Sequence, residues 1–234
     1  IVLCTPPKEN NESIIVAADI CGVDKIFKIG GSQAIAAMAY GTKTIPKVNK
    51  IVGPGNIYVA TAKKLVYGDT GIDFIAGPSE VLIFSNNGNE KFIAADMLAQ
   101  AEHDKMASAI FITTNKELAE KVKKEIEKQI EYLSTKDIAK ESIKNNGAII
   151  ITKDIDEAFG FINEIAPEHL EIMDDKELLK KVRNAGAVFL GSYSVEAAGD
   201  YAIGNHVLPT MGFAKVRAGL SVLDFIKMPT VQEL

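Results

Sequence analysis

Residues 81–113 decide the fold: Val81-Leu82-Ile83-Phe84-Ser85, then Glu90–Glu102, then Ala109-Ile110-Phe111-Ile112-Thr113. The outer runs are short, apolar and rich in β-branched or aromatic residues, which is how strands read. The middle segment, through Ile93-Ala94-Ala95-Asp96-Met97-Leu98-Ala99, reads as a helix. A strand, a crossover helix and a strand imply a parallel pair, and repetition of that unit implies a doubly wound α/β sheet.

The pattern continues on both sides. Upstream, strands are expected at Ile1–Thr5, Lys25–Ile29, Lys50–Val52 and Ile72–Ala76, with helices at Asn11–Cys21, Ser32–Tyr40 and Asn56–Tyr67. Downstream, Lys116–Leu133 carries Leu118, Val122, Ile126 and Ile130 at helical spacing, and its charged face reads as solvated surface. Strands follow at Ala148–Thr152, Leu170–Met173 and Val188–Leu190, with helices at Ile155–Ile165 and Lys176–Arg183. Gly77-Pro78 punctuates the series. The expected architecture is therefore α/β: two incomplete Rossmann-like units with mainly parallel sheets. They span residues 1–77 and 78–221, and residues 222–234 start a C-terminal tail.

Composition narrows the class. Against 31 acidic residues the 26 basic ones leave a net charge of −5, and they are scattered, so no footprint for nucleic acid is present. No run approaches the roughly 18 consecutive apolar residues of a membrane span, and Ile1–Leu3 is no signal peptide. The two cysteines, Cys4 and Cys21, lie in apolar segments and are expected to be small buried hydrophobes in a reducing cytoplasm. Ile1 falls inside a strand, and Thr230-Val231-Gln232-Glu233 reads like the start of another element, so the chain reads as a piece of a longer protein.

In such sheets ligands bind beyond the carboxyl ends of strands. That directs attention to three glycine loops, Gly30-Gly31-Ser32-Gln33, Gly53-Pro54-Gly55-Asn56 and Gly77-Pro78-Ser79-Glu80, taken as strand-to-helix connections. None is a G-x-G-x-x-G. The three histidines, His103, His169 and His206, stand beside residues that suggest chemistry. Gln100 and His103 share one helical face and could offer oxygen and nitrogen to a metal, or His103 could merely answer the helix dipole. Glu168-His169 could supply two bases of different strength, or simply be a polar loop edge. Asp200 could be a hard oxygen ligand or a capping aspartate.

Taken together, Ile72–Glu80 followed by Ala95–His103 resembles the signature of the histidinol dehydrogenases. So do Gln33-Ala34, Val52–Asn56, Pro167-Glu168-His169-Leu170, Ala198-Gly199-Asp200-Tyr201, Asn205–Thr210 and Thr230–Leu234. The resemblance implies NAD-dependent oxidation of L-histidinol to L-histidine through the aldehyde, in two hydride transfers that end histidine biosynthesis. It implies zinc held by Gln100, His103 and Asp200, and a histidine from a C-terminal tail as fourth ligand. Zinc binds the substrate's imidazole and amino nitrogens. His169 would be the general base, and Glu168 would activate water for the aldehyde step. Ser79, Gln100, His103, His169 and Asp200 would contact substrate, and Gln33 and Asn56 would contact NAD. His206 receives no catalytic step. The family is a homodimer whose tails complete the partner's site, so this chain by itself is expected to be inactive. Two other classes stay open: a non-catalytic fragment, and a relative that oxidises another amino alcohol.

Overall fold

Small residues set the character of the first part of the chain. The elements are β1 (Val2–Cys4), α1 (Glu12–Ile20), β2 (Lys25–Phe27), α2 (Ser32–Tyr40), β3 (Lys50–Ile51), α3 (Ile57–Val66) and β4 (Gly71–Ile72). They belong to a computed structural model that describes residues 1–7, 11–75, 77–201 and 204–233, without the side chains of Asp200 and Tyr201. β1 pairs with β2 and β3 with β4, both in parallel. Ala39 and Ala62 let α2 and α3 approach closely, and Ile35, Ile51 and Val66 fill the contact.

Two loops expected to bind ligand open these helices. Gly31 caps α2 with φ of 76°, a left-handed conformation that glycine takes without strain, and a Cβ there would stand 2.9 Å from Gln33 Oε1. Asn56 caps α3, its side-chain oxygen accepting from the amides of Tyr58 (3.1 Å) and Val59 (3.2 Å). Behind the second loop lies a buried ion pair, Lys63–Asp73, with side chains 2% and 1% exposed. Lys63 Nζ also donates to the Gly53 carbonyl (2.9 Å), and Asp73 Oδ2 accepts from the Gly53 amide (2.8 Å). One ion pair thus fixes both polar groups of Gly53. The strand expected over Ile72–Ala76 is only Gly71–Ile72, followed by the Asp73 amide donating to the Ile51 carbonyl at 3.2 Å; Ala76 lies outside the described residues.

The cysteine expectation fails. Cys4 is only partly covered in β1, and Cys21 is exposed at the C-cap of α1, beside an Ile20 that is itself 79% exposed. Apolar neighbours in sequence do not bury a residue that sits past the end of a helix.

The remainder of the chain is a second compact unit, Pro78–Leu234, alongside Ile1–Gly77. It holds β5 (Glu80–Phe84), α4 (Glu90–Ala101), β6 (Ser108–Thr113), α5 (Lys116–Gln129), α6 (Lys136–Asn146), β7 (Gly147–Ile151), α7 (Ile155–Ile165), β8 (His169–Ile172) and β9 (Ala187–Leu190). The five strands form one parallel sheet in the order β7-β6-β5-β8-β9. The first strand is central. The chain winds outward through β6 and β7, then returns beside β5 as β8, which is the doubly wound arrangement.

Alternation along the strands divides two cores. Val81, Ile83, Ala109 and Phe111 meet Ile93, Met97, Leu98 and the Leu118/Val122/Ile126/Ile130 stripe. Leu82, Phe84, Leu170 and Ile172 meet Ala158, Phe159 and Ile162 of α7. Three differences from the sequence reading concern helices. The α-helix expected to run to Leu133 stops at Gln129 and tightens into a 3-10 turn, Ile130–Tyr132. α6 is an addition. Lys176–Lys181 is a 3-10 segment rather than an α-helix. Further 3-10 turns occupy Glu196–Tyr201, Phe213–Lys215 and Val222–Asp224, the last closed by a Ser221–Asp224 capping box. Among the described residues no helix is long and apolar enough to cross a membrane.

Candidate active site

β8 begins where the chemistry does. His169 is its first residue and Glu168 the one before, and each is only 6% exposed. Parallel pairing sets His169 opposite Val81, so both polar residues lie against the start of β5. There the Glu80 amide donates to Glu168 Oε2 (3.0 Å), and His169 Nδ1 lies 3.1 Å from the Glu80 carbonyl. A carbonyl only accepts, so Nδ1 carries a proton, and in the neutral ring the lone pair is then on Nε2. Glu80's own carboxylate accepts from the Met211 amide at 2.9 Å, and Met211 holds a left-handed φ of 55° to reach it.

The sheet edge is the opposite of the one expected. Ser79, Glu80, Glu168 and His169 stand at the amino ends of β5 and β8. Gly77-Pro78-Ser79 is no strand-to-helix loop, since it runs directly into β5 and Ser79 holds the first residue of β6 through Ser108 N (3.0 Å to the Ser79 carbonyl). A crossover helix runs back antiparallel to its strand, so its C-terminal end returns to this amino edge. That brings the end of α4, with Gln100 and His103, to the same side.

Gln100 is buried, and its Oε1 has no hydrogen-bond partner among the described residues. A buried amide oxygen left unpaired costs about 1–3 kcal/mol, so it calls for an electrophile. His103 lies past the helix end, exposed, its amide turning back to the Gln100 carbonyl (3.2 Å). The i, i+3 relation therefore persists through a tight turn. Glu102 between them is engaged elsewhere, accepting from Thr135. The side chain of Asp200 lies outside the described residues, as does Ile203. The backbone turn that carries Asp200, Glu196–Tyr201, packs against α4. His206 is exposed, and a Cβ on Gly199 would stand 3.1 Å from its Nδ1. Among the described residues no three His, Cys, Asp or Glu side chains converge as a metal site. In the first unit, Gln33 and Asn56 are exposed at the starts of α2 and α3. The cap uses Asn56's oxygen and not its amide nitrogen.

Several carboxyls that sequence reasoning left without a role complete the cluster. Glu171, two residues after His169, faces the same side of β8, as does Asp96 from α4. The two carboxyls interact electrostatically, and among the described residues Asp96 Oδ2 and Glu171 Oε2 are buried without a hydrogen-bond partner. Burial raises both, and the neighbouring Asp96 charge pushes Glu171 further, up to about 9. Glu171 Oε1 accepts from the Glu196 amide at 2.7 Å, and Glu196 Oε2 lies 3.4 Å from His169 Nδ1. Burial also lifts the Glu168 carboxyl to about 8, aided by the Glu80 and Glu196 charges, and it raises Glu80. The signal in the sequence is a charge inside an apolar run: Asp96 within Ala94–Leu98, Glu171 within Leu170–Met173.

The second unit is thus a parallel α/β sheet with a buried acid–imidazole cluster at the amino edge of its strands. The chain belongs to the histidinol dehydrogenase family, whose model matches residues 1–234. It is 58% identical over 233 residues to a histidinol dehydrogenase of Bacillus cereus and 57% identical over 234 residues to that of Clostridium acetobutylicum. In each case 97% of this chain aligns with 54% of the relative, so it spans about half their length. The crystal structure of histidinol dehydrogenase from Elizabethkingia anophelis superposes with a TM-score of 0.92 at 42% identity, covering 97% of this chain and 54% of that one.

Proposed function

We propose that this chain carries the proton-transfer and metal-holding part of a cytoplasmic, homodimeric enzyme. It oxidises L-histidinol to L-histidine through the aldehyde, using two NAD molecules, as the close of histidine biosynthesis. The first unit is its cofactor side and the second its zinc and catalytic side. The observation that carries the reading is the buried His169 ring with Nδ1 3.1 Å from the Glu80 carbonyl, the tautomer in which the neutral ring has its basic lone pair on Nε2.

Alcohol oxidation must shed a hydroxyl proton as hydride leaves carbon for the nicotinamide, and His169 Nε2 accepts that proton. The aldehyde has no hydride to give until water adds to it. Glu168 takes a proton from that water, and the resulting hydrate surrenders the second hydride, its hydroxyl proton again going to His169. Raised to about 8, the ionised Glu168 carboxylate is a stronger base for water than an ordinary one, and the share of it that is ionised grows as pH rises towards 8. Ser79, Gln100, His103, His169 and Asp200 bind the substrate side; Gln33 and the Asn56 amide bind NAD.

Zinc would be held by Gln100, His103 and Asp200, and it supplies a Lewis-acid anchor for the imidazole and amino nitrogens of histidinol. The unpaired buried oxygen of Gln100 fits that role, as it lacks any other electrophile. Ordinary amides are weak zinc ligands, so Gln100 is best suited to a site shared with substrate.

The test separates the half-reactions in the protein that carries this chain. His169→Gln should slow both histidinol and aldehyde oxidation by about 10²–10⁴-fold. Glu168→Gln should slow the aldehyde step far more than the alcohol step. Equal losses in both steps for Glu168→Gln would remove it from water activation.

A further inference from the structure

We infer that Glu196 is the positioning residue for the His169 imidazole, a carboxylate clamp whose backbone is anchored by the Asp96–Glu171 pair. This inference rests on the reading of His169 as general base.

Three oxygens face His169 Nδ1: the Glu80 carbonyl at 3.1 Å, Glu196 Oε2 at 3.4 Å and Glu168 Oε2 at 3.7 Å. The carbonyl fixes the tautomer but, being neutral, does little for the positive ring that forms when Nε2 takes a proton. Glu168 is committed to the Glu80 amide, and burial keeps it largely protonated below about pH 8. The charge able to oppose the imidazolium is that of Glu196, whose side chain is 13% exposed against 7% for the ring. The Phe189 ring, with its centroid 5.9 Å from that of the imidazole, covers another side of it with apolar surface. Low polarity there makes a carboxylate at this distance count for more than it would in water.

Glu196 is not free to drift. It opens the 3-10 turn Glu196–Tyr201, and its amide is tied to Glu171 Oε1 at 2.7 Å. Glu171 is fixed in β8 two residues from His169, with the Asp96 carboxyl of α4 as its electrostatic neighbour. The base and its clamp are thus referenced to the same strand. The same turn carries Asp200, so one anchor sets the register of both the clamp and a candidate metal ligand. A salt bridge alone would not need such a foundation. A group that must hold an imidazole within a few tenths of an ångström does.

The test reads the ring directly. In protein with 15N-labelled histidine, two-dimensional 15N–1H NMR distinguishes the protonated nitrogen, and the His169 signal is the one lost in His169→Gln. The unaltered protein should show His169 in its Nδ1–H form. In Glu196→Gln, loss of an anion this close should lower the His169 pKa by about 1–3 units. The acid limb of kcat should move to lower pH by the same amount, with a drop in kcat of about tenfold or more and little change in KM. Glu196→Asp, which keeps the charge on a shorter arm, should restore part of both. An Nε2–H tautomer in the unaltered protein overturns the inference without any variant. So does an unmoved His169 titration in folded Glu196→Gln. A shifted titration alongside full histidinol oxidation by His169→Gln would uphold the clamp and refute the general-base reading.

Discussion

Replacing Lys63 with methionine should destabilise the first unit by about 3–5 kcal/mol, the cost of leaving a buried charge without its partner. The side chains of Lys63 and Asp73 are 2% and 1% exposed, so water cannot take the missing ammonium's place. Methionine keeps most of the aliphatic stem, which confines the damage to the charge. The Gly53 carbonyl also loses its Lys63 donor at 2.9 Å, worth roughly another 1 kcal/mol if water does not replace it. A second change, Asp73→Asn, removes the stranded charge but keeps an oxygen for only one of the Gly53 and Phe74 amides, which Asp73 receives on different oxygens. The double variant should therefore recover part of the loss. The chain has no tryptophan, so urea unfolding is best followed by far-UV circular dichroism. Amide exchange read by mass spectrometry then localises the effect. Exchange over residues 50–56 should quicken in Lys63→Met and slow again in the double variant, with β5–β9 unchanged. A loss under about 1 kcal/mol, or no recovery in the double variant, would refute the claim that this pair holds the Gly53 loop.

Two further perturbations follow from the same physics. Burial, with the Asp96 charge beside it, pushes the Glu171 carboxyl from an ordinary 4.5 up to about 9. The folded state therefore binds that proton more tightly, and the stability it confers is complete below about pH 4.5 and lost as pH rises towards 9. Glu171→Gln keeps an acceptor for the Glu196 amide and gives Asp96 a permanent donor, so its melting temperature should fall less between pH 5 and pH 9. At one unit per 1.36 kcal/mol, the difference across that range is on the order of a few kcal/mol; parallel melting curves would contradict it. Asn56→Ala should cost about 1 kcal/mol through the lost cap, whereas Asn56→Asp keeps the cap and removes only the amide nitrogen. A raised KM for NAD in Asn56→Asp, at unchanged stability, is the expected sign of a cofactor contact; an unchanged KM would leave Asn56 a cap alone.

The sheet of the second unit is legible in the sequence because its strands are continuous apolar runs separated by strongly periodic helices. Ser32–Tyr40 and Ile155–Ile165 even match in their bounds. α6 is harder to read, since only Ala139 and Ser142 of it are fully buried, with Ile143 partly buried beside them, and Ser142 is accommodated by donating to the Ala107 carbonyl at 2.9 Å. A helical face of one alanine, one isoleucine and a satisfied hydroxyl gives a weak apolar stripe in a lysine-rich segment. Glu168 and His169 can be picked out as neighbours. Their surroundings cannot, because Glu80, Asp96, Glu171 and Glu196 come from three other stretches of chain and from within β8 itself. Which sheet edge carries the cluster is likewise decided by topology. Val81 opposite His169 is a fact of strand register, and no local motif encodes it.

The carboxyl edge of the same sheet has a consequence of its own. In doubly wound folds the crevice between the two central strands admits a ligand, whose anionic group accepts from loop amides. Here Asp174, just beyond β8, supplies such an anion from within the chain. It accepts from Ser85 Oγ (2.7 Å) and from the amides of Asn86 (2.8 Å) and Asn87 (3.3 Å) at the end of β5. Its carboxylate is a resident substitute for a guest's anion at that end of the strands. With that mouth corked, a ligand of this unit would be turned towards the opposite rim, where Glu168 and His169 stand.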